Sequence, residues 1–211
     1  MSSRLPFALV AAWVAFAASQ TGAETLSIGI DKSGSNPLLT NENFAYSAAQ
    51  YVSSEILKLQ PNDVVNIKTF GARDEAANII TSSFTISRRV SPQKVADLVT
   101  QYIRTLPTNN DSAQNSTNLI AYLEFTSGLD CANDGKVVVI TDGLESSSLV
   151  SGAAMLEGQA ELPEPQVDLN GCEVTFYGLG AGWPPQSVRF VRGQWISWFE
   201  QSGADFKAII P

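Results

Sequence analysis

Apolar residues along the chain switch repeatedly between a two-residue and a helical period. Thr25 to Ile30 (Thr-Leu-Ser-Ile-Gly-Ile) reads as a short β-strand ending at Asp31, followed by a Ser-, Gly-, Asn- and Pro-rich loop from Lys32 to Thr40. Phe44, Ala48, Val52, Ile56 and Leu59 then recur at helical spacing, which predicts an amphipathic helix over 41–59. Pro61-Asn62-Asp63 stops it. Val64 to Phe70 is the next strand, and the mixed polar and apolar run from Asn78 to Ile86 reads as an edge strand.

Ser91-Pro92 has the form of an N-cap followed by proline at the first helical position. Val95, Leu98, Val99, Tyr102 and Leu106 are the expected apolar stripe of that helix. A polar loop over 108–116 leads to a third helix predicted from Thr117 to Leu129. Lys136 to Thr141 contains Val-Val-Val-Ile, a continuous apolar run of the kind found in parallel strands covered on both faces. Leu144 to Leu156 reads as a short helix and Glu157 to Gly171 as an acidic surface loop. Glu173 to Leu179 is a strand, 187–201 an amphipathic helix, and Ala204 to Ile210 a last strand.

Strands and helices thus alternate over the chain. That pattern predicts an α/β fold: a doubly wound, mostly parallel six-stranded sheet with helices on both faces and one antiparallel edge strand. In the common order 3-2-1-4-5-6, the first and fourth strands are neighbours, and the ligand crevice lies at their carboxyl ends.

The chain opens differently. Arg4 is the only charge before Glu24, and between them lie an apolar run, Leu5 to Ala18, and a small-residue stretch ending at Ala23. Residues 1–23 therefore read as a secretory signal peptide, too short to span a membrane comfortably, with a single domain over 24–211. The expected location is exported: a bacterial periplasm or the extracellular space. The net charge of −8 becomes one unit more negative without Arg4. Such a surface repels nucleic acid and anionic lipid and favours cations. Two cysteines, Cys131 and Cys172, in an exported chain suggest one disulfide, with two separate buried thiols as the alternative.

The chain has no histidine, which removes Ser–His–Asp triads, Cys–His pairs and imidazole metal ligands. What remains at the crevice is oxygen chemistry. The first strand ends in Asp31-Lys32-Ser33-Gly34-Ser35 and the fourth in Thr141-Asp142-Gly143. Two carboxylates finishing neighbouring strands, with Ser33 and Ser35 at alternate positions of a tight turn, make a hard-oxygen site suited to Mg²⁺, with Mn²⁺ or Ca²⁺ as alternatives.

Asp-x-Ser-x-Ser after a strand, Thr117 in Ser116-Thr117-Asn118-Leu119 at a helix start, and Asp142 in Thr-Asp-Gly after an apolar strand resemble the metal-ion-dependent adhesion site of von Willebrand factor A-type domains. The order and spacing of the elements resemble that family over essentially all of 24–211. The resemblance implies a metal site of Asp31, Ser33, Ser35, Thr117 and Asp142. It implies hydroxyl contacts to the ion, aspartates acting directly or through water, and an open position completed by an Asp or Glu of a partner protein. In some members, loop rearrangement at the metal is coupled to a shift of the last helix, here 187–201. Lys32, Leu144, Glu145 and Trp183 are the expected partner-binding rim. Trp183 is either an exposed anchor or packed beneath its loop. The cysteines would lie at the opposite end of the sheet.

The expected function is accordingly a metal-dependent protein-binding module and not an enzyme. A metal-independent scaffold of the same fold is the first alternative. A Mg²⁺-dependent hydrolase or phosphatase is the second, and it lacks sequence support: there is no Asp-x-Asp and no phosphate-cradling glycine loop with lysine.

Overall fold

The computed structural model describes residues 23–72, 78, 81–109, 113–131 and 135–211. The signal-peptide reading over 1–22, the start of the predicted edge strand at 79–80, and the centre of the loop at 110–112 lie outside the described residues. Six strands form one sheet: β1 (Thr25–Asp31), β2 (Val64–Phe70), β3 (Thr81–Thr85), β4 (Lys136–Ile140), β5 (Glu173–Tyr177) and β6 (Asp205–Ile209). Their order is β3-β2-β1-β4-β5-β6. β3 runs antiparallel to β2, and every other pairing is parallel. The fold is therefore the doubly wound α/β architecture read from the alternating pattern.

The helices are α1 (Glu42–Ile56), α2 (Pro92–Thr105), α3 (Leu119–Asp130), the short α4 (Gly152–Leu156) and α5 (Pro185–Ser202). Their ends follow local chemistry. The Asn41 side chain accepts from the amides of Asn43 and Phe44, the Ser91 hydroxyl accepts from that of Lys94, and Gly203 closes α5 at φ 82°.

The two-residue period of β1 separates the two cores. Leu26, Ile28 and Ile30 join α1 and α2 on one face, with Val138, Ile140 and Val65. The opposite face carries Val137, Val139, Val174 and Phe176 against α3 and α5. There β1 presents Ser27 and Gly29. A Cβ at Gly29 would stand 2.6 Å from the Tyr122 ring, so glycine lets α3 lie close on the centre of the sheet. Tyr122 also stacks on Phe70 at 4.7 Å between centroids.

Two expectations are corrected and a third is refined. Leu98 and Tyr102, placed on the core stripe of α2, are 54% and 39% exposed, and the buried positions are Val95, Ala96, Val99 and Ile103. α2 packs against α1, and its Leu98–Tyr102 flank stands off from Ile67 and Thr69 of β2 and Ser82 of β3. That flank and the sheet edge border a groove of about 580 Å³, with Lys32 and Ile67 also in its walls. Within 144–156, only Gly152–Leu156 is α-helical, because Ser146 pairs with Thr117 and Ser151 supplies the N-cap. The acidic loop over 157–171 is irregular as expected, but it is pinned to α5. Gln194 accepts from the Leu162 amide at 2.7 Å and donates to the Ala160 carbonyl at 2.6 Å, and Leu169 is buried.

Cys131 and Cys172 form a disulfide, with their Cα atoms 4.9 Å apart. Cys131 closes α3 ahead of β4, and Cys172 directly precedes β5. The bridge is therefore at the amino ends of the strands.

Candidate metal centre

The site is built where parallel strands end together. Pairing of β1 with β4 sets Ile30 opposite Ile140, so the next residues, Asp31 and Thr141-Asp142, emerge side by side. Asn36 staples the two ends: its Nδ2 donates to the carbonyls of Asp31 at 3.0 Å and Ile140 at 3.2 Å. The same side chain accepts from the Leu38 amide and starts the 3-10 turn Pro37–Leu39. The Asp-x-Ser-x-Ser loop is thereby folded back over its own strand end.

Asp31 and Asp142 are both 0% exposed. Asp31 Oδ1 accepts from the Ser33 amide at 2.8 Å, and Oδ2 accepts from the Thr141 hydroxyl at 2.7 Å. Asp142 Oδ1 accepts from the Leu144 amide at 3.0 Å, and Oδ2 accepts from Trp183 Nε1 at 3.2 Å. The Ser33 and Ser35 hydroxyls are 3.3 Å apart, and the Ser35 hydroxyl is near enough to Asp142 to favour its charged form. The structure thus gathers Asp31, Ser33, Ser35 and Asp142 into one cluster.

Thr117 reaches the same end by another route. It precedes α3 and forms a two-bond antiparallel bridge with Ser146, just beyond Asp142 in the chain (Thr117 N to Ser146 O, 2.9 Å; Ser146 N to Thr117 O, 3.0 Å). Asn118 holds the Gly71 carbonyl through both its backbone and side-chain nitrogens, tying this segment to the end of β2.

Burial and mutual repulsion dominate the electrostatics. Burial, and then the Asp142 charge, push the Asp31 carboxyl up to about 7, against the hydrogen bonds from Ser33 and Thr141. Burial likewise raises Asp142. Among the described residues, neither aspartate has a lysine or arginine ion-pair partner. Two adjacent buried carboxylates and their hydroxyls form a hard-oxygen donor set whose charge a divalent cation would neutralise, so the residues fit the group expected from the sequence.

The expected rim is only partly a rim. Lys32 follows Asp31 in the chain, but it is half-buried and lines the groove beside α2, whereas Trp183 is half-buried with its indole N–H engaged on Asp142. Leu144 and Glu145 are buried instead of exposed. Leu144 belongs to the second core, and Glu145 Oε2 turns inward to accept from the Leu119 and Ile120 amides at the start of α3. The reason is Gly143: at φ 81° it reverses the chain after Asp142 and aims the next residues into the protein.

Thr141, Asn36 and Trp195 complete the site without having been singled out from the sequence. Trp195 Nε1 donates to the Gly143 carbonyl at 2.6 Å, fastening the loop to α5. The contacts Thr141–Asp31, Asn36–Ile140 and Trp195–Gly143 join residues far apart in the chain, and no local pattern marks them.

No protein-family model matches the chain, and neither does any curated protein. Among solved structures, it is similar to the pilus adhesin SpaC from Lactobacillus rhamnosus GG in its open conformation. The TM-score is 0.49 and the identity 11%, over 91% of this chain. The chain spans 28% of the length of that adhesin.

Proposed function

We propose that this chain is an exported protein-binding module of the von Willebrand factor A type. In this reading, a divalent cation, Mg²⁺ by preference, is held by Asp31, Ser33, Ser35, Thr117 and Asp142, and an Asp or Glu of a partner protein completes its coordination. The carrying observation is the pair of buried carboxylates, Asp31 and Asp142, set side by side with hydroxyls and with no basic ion-pair partner among the described residues. When bound, the cation would supply positive charge to a cluster that otherwise repels itself. It would also present that charge to an acidic partner despite the net charge of −8. The disulfide is consistent with an oxidising compartment, and among the described residues no helix is long and apolar enough to cross a membrane.

The chain's own residues divide the work. Asp31 and Asp142 provide charge, the hydroxyls provide neutral donors, and the Ser33 and Leu144 amides orient the carboxylates. Trp183 borders the site through its bond to Asp142, Lys32 follows Asp31 in the chain, and both are the proposed partner contacts. The role is binding and not catalysis. The histidine-free, hydroxyl-rich cluster offers no base beyond the carboxylates that would hold the ion.

One observation favours a metal-independent scaffold as the second reading. An Asp31 carboxyl raised to about 7 can be neutralised by a proton instead of a cation. Calorimetric titration with Mg²⁺ and Mn²⁺ at pH 8, beside Asp31→Ala, separates the two. Saturable one-site binding that the variant loses is the expected result. Heat-silent titrations with an unchanged melting temperature would point to the scaffold.

A further inference from the structure

The buried Glu145 has no place in the metal cluster as read from the sequence, and its surroundings give it one. It is 1% exposed, and Oε2 accepts from two amides, Leu119 at 2.8 Å and Ile120 at 3.0 Å. These are the first amides of α3, which lack acceptors within the helix, and the Asn118 side chain does not cap them. Oε1 has no hydrogen-bond partner among the described residues. The Ser147 side chain also lies near enough to favour the charged carboxylate, but the two hydrogen bonds that leave the loop carrying Asp142 both go to the start of α3.

That loop is a short strap between two candidate metal ligands on different elements. At one end, Asp142 is fixed by its own bond from the Leu144 amide. At the other, Ser146 and Thr117 exchange two backbone hydrogen bonds. Glu145 lies between, anchored to the residues that immediately follow Thr117-Asn118. The bridge and the carboxylate clamp together leave the Thr117 segment little freedom to move relative to Asp142. Without the clamp, the two-bond bridge is the remaining hydrogen-bonded link between the loop and the start of α3 among the described residues.

Resting on the metal-site reading above, we propose that Glu145 is a positioning residue: through its two hydrogen bonds to α3 it sets Thr117 against Asp142 and so tunes affinity for the cation. The mechanism depends on an acceptor at the right reach. A shorter carboxylate keeps the charge and loses the reach, and a glutamine keeps both reach and acceptor while losing the charge.

The test is Mn²⁺ titration of the full chain, expressed with export, as wild type, Glu145→Gln, Glu145→Asp, Glu145→Ala and Asp31→Ala. Melting temperatures in chelator report folding separately. Wild type binds and Asp31→Ala does not. Glu145→Asp and Glu145→Ala are expected to bind about 10–100-fold more weakly, the range for residues that orient metal ligands, with Glu145→Gln within about threefold of wild type. If Glu145→Ala does not fold, the Asp and Gln pair still decides the matter. Wild-type affinity in Glu145→Asp would overturn the proposal while leaving the metal site standing. Equal losses in Gln and Asp would overturn it in favour of a charge effect. Failure of the wild type itself to bind would remove the metal reading and this inference together.

Discussion

Asp31 concentrates the chemistry of the site in one side chain. Its carboxyl is raised from an ordinary value of 3.8 to about 7, first by burial and then by Asp142. Between those two values, the folded metal-free chain holds more protons than the unfolded chain. Its stability from this group is therefore full at low pH and is lost as the pH rises through about 7. In the proposed metal site a cation would compete with that proton. Mg²⁺ affinity should accordingly fall as the pH is lowered from 8 to 6, with protons released on binding near pH 7, which calorimetry in buffers of different ionisation enthalpy would detect. Asp31→Asn should raise the melting temperature of the metal-free chain at pH 8 and abolish any rise produced by Mg²⁺. A pH-independent affinity would mean that Asp31 is already ionised in the free protein.

At the scale of elements, the site depends on where strands end and how the following loops are turned. Gly143 is the clearest case. Its φ is 81°, and a Cβ there would strike the Leu179 side chain. Gly143→Ala should cost roughly 2 kcal/mol or more in denaturant unfolding, from left-handed backbone strain and overpacking combined. It should also weaken Mg²⁺ binding, since the same residue turns the chain after Asp142. Trp195 fastens the Gly143 carbonyl to α5, so the candidate-site loop and the last helix are joined by a direct hydrogen bond. Much of this level was legible beforehand. The β1, α1, β2 and α2 segments lie close to their predicted spans because caps such as Asn41 and Ser91-Pro92 are local chemistry. Leu144 to Ser146, expected from the sequence to begin a helix, are not helical. Their shape comes from pairing with Thr117, a residue distant in the chain.

Across the whole molecule, the two ends of the sheet have different tasks. The disulfide joins the amino ends of the strands, and the candidate metal centre occupies the carboxyl ends of β1 and β4. Replacing Cys131 and Cys172 by serine should lower unfolding free energy by about 2–5 kcal/mol, as expected for removing a native bridge from a small disulfide-bonded domain. Because no residue of the bridge touches the cluster, Mg²⁺ affinity of the folded double variant should stay within about twofold of wild type, distant sites being close to additive. A large loss of affinity at a temperature where the variant remains folded would show that the two ends are coupled.

The sequence by itself determined the order of strands and helices, the hard-oxygen character of the candidate site, and the residues able to compose it. Periodicity, caps and the absence of histidine are properties of short stretches or of composition, which a chain carries before it folds. Only the tertiary structure decided which side chains face one another. Pairing of β1 with β4 brought Asp31 beside Asp142, and Gly143 turned Leu144 and Glu145 inward. Packing of α2 against α1 left its other flank over an open groove, exposing Leu98 and Tyr102 despite their helical spacing. Each of these outcomes depends on backbone direction or on a neighbour remote in the chain, and a one-dimensional pattern of polar and apolar residues contains neither.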